Sequence, residues 1–123
     1  MHIYETTVKD IGSIAQDFAN EGLVILFGGN IPPELKDICY HIELSDVKDV
    51  IKPGMFFYFD KLAYQIVAVG NEAQNNLSNL GHITLNFNGS TNSVLAGTIY
   101  LENKKMPLLK IGTKIYISES KEE

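Results

Sequence analysis

The chain has 123 residues, a length that suits one domain, and 45% of them are hydrophobic, enough for a buried core without covalent staples. Its net charge is −5 and all ten basic residues are lysine, which argues against a protein that reads guanine or grips backbone phosphate through arginine; no nucleic-acid partner is expected. The single cysteine excludes a disulfide framework, and no CxxC or Cys/His spacing suggests structural zinc.

The amino end, MHIYETTVKDIG, has no basic stretch followed by an apolar run. No apolar run nears the roughly 20 residues that a spanning helix needs, so a soluble cytoplasmic protein is expected. IYETTVKDI predicts a first strand. GSIAQDFAN places Ile14, Ala15 and Phe18 at helical spacing, with Ser13 as a cap. LVILF (23–27) is a continuous apolar run ended by Gly28, Gly29 and Asn30, as in a buried strand followed by a turn. IPPELKD fits one helical turn, since proline is tolerated at the first helical positions.

ICYHIEL (38–44) then reads as a strand. Ile38, Tyr40, Ile42 and Leu44 fall on one parity and Cys39, His41 and Glu43 on the other. Pro53 and Gly54 turn into MFFYF, and LAYQIVAV follows after a break at Asp60-Lys61. NEAQNNLSNLG is the best helix in the chain: Asn71 can cap it, Ala73, Leu77 and Leu80 line one face, and Gly81 supplies a left-handed end. HITLNF alternates, with Ile83, Leu85 and Phe87 opposite His82, Thr84 and Asn86. GTIYL and TKIYIS close the set, and the acidic end SESKEE reads as a solvated tail.

VIKPGMFFYF and LLKIGTKIYI share a lead-in and a matching tyrosine, which reads as two ordinary turn-to-strand entries rather than a repeat. Many short strands with turn signals between them predict an all-β fold. The expectation is a closed or partly closed β-barrel with one short helix at about residues 71–80.

Three histidines are available for chemistry. His2, at a terminus expected to fray, reads as a spectator. His41 and His82 both lie on the polar parity of strands whose other parity is apolar; such residues are more often bystanders than catalysts. No GxSxG elbow, GxxxxGK[ST] or GxGxxG cradle occurs. Nothing marks Cys39 as a low-pKa thiolate. His41, Glu43 and His82 would be the obvious metal set if the fold gathered them.

The stretch AVGNEAQNNLSNLGHITLNFNG (68–89) goes further. It resembles the signature V-G-x-x-A-x-x-N-L-x-x-L-G-H-[VI]-T-L-x-F-x-G of the glucitol/sorbitol-specific enzyme IIA component of the bacterial phosphotransferase system. Val69, Gly70, Ala73, Asn76, Leu77, Leu80, Gly81, His82, Ile83, Thr84, Leu85, Phe87 and Gly89 all match. YETTVKDIG near the start, KPG before the middle strand and GT before a late strand extend the likeness over essentially the whole chain, residues 1–123, as one enzyme IIA-type domain.

The resemblance implies a cytoplasmic phosphocarrier with a β-barrel-like fold and no bound cofactor. Its histidine would accept a phosphoryl group from phospho-HPr and pass it to the IIB domain of a sorbitol transporter, meeting the membrane only through the IIB/IIC transporter domains. A neutral imidazole is a competent nucleophile near pH 7, and one histidine can act as acceptor and then donor. Without arginine, the phosphoryl oxygens would be held by backbone amides, by hydroxyls such as Thr84, by a second histidine or by lysine.

One departure stands out. The family's phosphorylated histidine precedes the KPG turn in a Cys-x-Ile-His context, and ungapped alignment from Cys39 to Pro53 puts it on Ile42, one residue after His41. Parity favours His41 as acceptor, with His82 as partner or fallback, Thr84 as phosphoryl support and Glu43 and Cys39 at the pocket rim; a local bulge would reconcile the offset. The offset also motivates an alternative, a regulatory or interaction domain that has lost phosphotransfer.

Overall fold

The computed structural model describes residues 2–92 and 94–122. In chain order it contains β1 (His2–Ile11), α1 (Ala15–Asn20), β2 (Leu23–Gly28), a 3-10 turn (Pro33–Leu35), β3 (Tyr40–Ile42), β4 (Phe56–Phe59), β5 (Leu62–Val69), α2 (Ala73–Leu80), β6 (Ile83–Asn86), β7 (Thr98–Leu101) and β8 (Lys114–Ser118). The strands close into a barrel in the order β1-β3-β2-β6-β7-β5-β4-β8. Neighbours run antiparallel except β2 with β3 and β6 with β7, which are parallel. The expected barrel is present; α1 forms where GSIAQDFAN has helical spacing, so the barrel carries two helices and not only the one at 71–80.

Alternation fills the interior. Val8, Leu26, Ile42, Phe57, Ile66, Leu85, Ile99 and Ile115 are buried members of one cluster, and an eight-stranded barrel is just wide enough for side chains to fill. Closure also removes the unpaired edges of an open sheet. Both helices bury alanine at their first residue, Ala15 and Ala73, followed by Ala19 and Leu77. Ile14 and Leu80, expected on the inner faces, are exposed at 41% and 47%. Neither Ser13 nor Asn71 caps a helix: the cap positions are Ile14 and Glu72, without side-chain bonds. Gly81 ends α2 at φ 65° as expected.

The echo between VIKPGMFFYF and LLKIGTKIYI is more than coincidence. The two strands lie side by side, with Phe57 opposite Ile117 and Tyr58 opposite Tyr116. Each is entered through a left-handed glycine, Gly54 at φ 97° and Gly112 at φ 96°. Met55 N–H donates to the Lys52 carbonyl as Thr113 N–H donates to that of Lys110. Gly54 and Gly112 donate to Ile66 and Val8, and these two donate back to Met55 and Thr113.

The correspondence continues along the chain. Gly12 donates to the Cys39 carbonyl and Gly70 to that of Thr98. A Cβ at either glycine would overlap backbone carbonyls, those of Lys36 and Asp37 or of Leu95 and Ala96. The run β8-β1-α1-β2-β3 therefore repeats β4-β5-α2-β6-β7, and on this match His41 takes the place of Tyr100. Alternation and turn chemistry reveal each strand; only the pairing reveals the repeat.

The chain ends are more ordered than expected. His2 Nδ1 lies 2.6 Å from Glu5 Oε2 and its Nε2 lies 2.7 Å from Glu122 Oε2. The ring stacks on Tyr116, which stacks on Tyr58, and Glu122 N–H donates to the Tyr58 hydroxyl. His2 is held in β1 instead of fraying; residues 119–122 are exposed, as a solvated tail would be, but Glu122 is tied back through His2 and Tyr58. Glu123, the last residue of the acidic end, lies outside the described residues.

Candidate functional site

His41 is the middle residue of the three-residue strand β3, between β1 and β2. Tyr40 and Ile42 are 1% and 3% exposed inside the barrel, so His41 faces outward. The register beside it does slip, between Val8 and Asp10, but the extra residue is Lys9 of β1. β3 itself stays regular, and the slip leaves Ile42 inside the barrel.

ICYHIEL is a shorter strand than its pattern suggests, and two of its side chains differ from expectation. Cys39 precedes β3 and is fully buried, where burial pushes its thiol up to about 11; it is interior packing, not pocket rim. Leu44 follows the end of β3 and is 51% exposed. Strict alternation holds only while the backbone is extended, and here that is Tyr40 to Ile42.

The His41 ring is clasped. Its Nε2 lies 2.9 Å from the Lys36 carbonyl, and a carbonyl only accepts, so Nε2 is the donor and Nδ1 is the nitrogen whose lone pair is free in the neutral tautomer. In the other half of the barrel Tyr100 makes the matching contact, its hydroxyl accepting from Leu95 N–H. His41 borders a cleft of about 400 Å³ lined also by Lys9, Asp10, Gly29, Ile31 and Glu43. Within it Lys9 Nζ is 3.7 Å from Glu43 Oε1, so Glu43 is at the rim beside His41.

His82 is set by a different device. Gly81 packs so closely on β2 that a Cβ there would sit 2.6 Å from the Gly28 nitrogen. His82 N–H donates to the Asn76 carbonyl, and its ring lies on Phe27 with centroids 4.5 Å apart and planes at 21°. Burial lowers its pKa, so the ring is neutral at pH 7.

Phe27 is also the parallel register partner of His41. Its neighbour Leu26 pairs with Ile83, which brings Phe27 level with His82. The order along the outer face of β3, β2 and β6 is therefore His41, Phe27, His82, with the two histidine backbones about 10 Å apart at two strand spacings. Thr84 lies two residues further along β6, paired with Ile25 and Thr98. No local pattern singles out Phe27, Lys9 or the Lys36 carbonyl; the Gly28-Gly29-Asn30 turn beyond β2 was the one local signal. The metal set His41, Glu43 and His82 does not form, and among the described residues no three His, Cys, Asp or Glu side chains gather to hold an ion.

The family model for the PTS system glucitol/sorbitol-specific IIA component matches residues 3–116. The chain belongs to the glucitol/sorbitol-specific IIA family. It is 33% identical over 99 residues to the PTS system glucitol/sorbitol-specific EIIA components of Escherichia coli (strain K12) and Shigella flexneri, covering 80% of this chain and of each relative. It also resembles the crystal structure of the PTS system IIA component from Enterococcus faecalis V583, with a TM-score of 0.77 and 28% identity over 91% of this chain and 97% of that one. Such IIA components are phosphotransferase components of sugar transport, which gives this chain a transferase role. No helix among the described residues is long and apolar enough to cross a membrane.

Proposed function

We propose that this chain is a cytoplasmic phosphocarrier that takes a phosphoryl group from phospho-HPr onto His41 and delivers it to the IIB domain of a glucitol/sorbitol transporter. The observation that carries the reading is the clasp on His41: with Nε2 bonded to the Lys36 carbonyl, Nδ1 is left as nucleophile beside a cleft that holds Lys9. In the forward step the Nδ1–P bond forms as the donor's N–P bond breaks, and the second transfer reverses the roles. The Lys36 carbonyl favours the positive ring that forms, while Lys9 can draw toward the phosphoryl oxygens. His82, neutral on the same face across Phe27, is the supporting imidazole.

Incubation with phosphoenolpyruvate, enzyme I and HPr, followed by intact-mass measurement under alkaline conditions, tests this. One added phosphoryl group is expected, and none on His41→Gln, whose amide nitrogen can replace Nε2 at the Lys36 carbonyl without supplying a nucleophile.

A second reading is favoured by one observation: the position aligned with the family's histidine is Ile42, which faces the core. An interaction domain that has lost phosphotransfer would gain no phosphoryl mass in the same experiment.

A further inference from the structure

We propose that the β4–β5 turn and the neighbouring 103–114 segment form a docking surface for an anionic lipid bilayer, a property separate from the histidine chemistry. Residues 103–118, NKKMPLLKIGTKIYIS, carry four lysines and no acid in a chain whose net charge is −5. The same region exposes large aliphatic side chains: Leu62 at 53%, Leu108 at 65% and Ile111 at 66%. Leu62 and Leu108 share an open cleft of about 640 Å³ with Lys61 and Lys114. Both turns present a lysine beside an aliphatic residue, Lys61-Leu62 and Lys110-Ile111.

Specific bonds hold these pieces together. The Asp60 carboxylate accepts from Lys114 N–H, and Asp60 N–H donates to the Lys114 carbonyl. The Tyr64 hydroxyl donates to the Lys105 carbonyl, tying the 103–114 segment to β5. The acids beside this surface are bonded: Asp60, which lines the same cleft, to that backbone; Glu102 to Gln65 N–H and, at 3.8 Å, to Lys104; and Glu5, which shares another cleft with Lys114, to His2.

Lysine chemistry decides between a bilayer and an acidic protein. Protein interfaces are depleted in lysine and favour arginine, which this chain lacks. A bilayer surface attracts flexible lysines to its headgroup charge and accepts aliphatic tips between them.

The test is co-sedimentation of the full chain with vesicles of phosphatidylcholine alone or mixed with phosphatidylglycerol, at low and high salt. Binding to the anionic vesicles is expected to exceed binding to the neutral ones at least about tenfold and to fall at high salt. Lys61→Glu with Lys110→Glu should reduce it by about tenfold or more, and Leu108→Ser with Ile111→Ser should reduce it too. Lys48→Glu with Lys52→Glu, the same charge change on the segment leading into β4, should have little effect. No sedimentation with anionic vesicles would overturn the proposal, as would equal binding to neutral ones or equal loss in the Lys48/Lys52 variant.

Discussion

The His82 ring lies flat on Phe27, centroids 4.5 Å apart, while His41 occupies the register position opposite Phe27 on the other side. One aromatic side chain thus separates the two histidines that the polar parities of β3 and β6 turn outward. The separation prevents the imidazoles from acting as a directly bonded pair and lets each be set by its own neighbours.

Burial against Phe27 predicts that His82 titrates below the ordinary imidazole value of about 6.5. As pH falls, the unfolded chain takes up this proton before the folded one. The contribution of neutral His82 to stability is therefore complete above about 6.5 and is lost as pH falls through its folded pKa. Phe27→Leu should raise the midpoint toward the ordinary value, and NMR titration of the histidine ring protons reads both. An unchanged midpoint would show that the Phe27 ring does not desolvate His82.

Two left-handed glycines separate backbone strain from close packing. Gly22, at φ 88°, has no atoms within 4 Å of an added Cβ, whereas Gly81, at φ 65°, would meet the Gly28 nitrogen at 2.6 Å. Gly22→Ala should cost about 1 kcal/mol, the left-handed penalty alone. Gly81→Ala should cost about 3 kcal/mol or more, because β2 must also move. Urea unfolding measures both; equal losses would mean that the contact between α2 and β2 yields readily.

Ile42→His places a histidine at the position matched to the family's phosphorylated residue. Ile42 is 3% exposed among core side chains, so the change should destabilise by about 2–4 kcal/mol through lost packing and a buried polar ring. It should not add a second phosphorylation site. A stable variant carrying two phosphoryl groups would show that β3 can rotate its faces.

Most of the barrel was legible because period-two alternation and glycine turns mark individual strands. The ends of β3 were not: Cys39 and Leu44 belong to the alternating pattern in sequence, but backbone outside Tyr40–Ile42 turns their side chains elsewhere. The helix faces were legible at Ala15, Ala73 and Leu77, which are buried; Ile14, at the cap position of α1, and Leu80, the last residue of α2, lie at helix ends and are exposed. His41 and His82 were legible as outward-facing histidines. Their relation through Phe27 depends on β2 lying between β3 and β6, a long-range pairing that no local pattern encodes.

The most direct test of the account is long-range proton–nitrogen NMR on histidine-labelled protein phosphorylated by HPr. Phosphorus coupling is expected at Nδ1 of His41, with the ring nitrogens of His2 and His82 uncoupled. Phosphorus on His82, on His2 or on no histidine would contradict it.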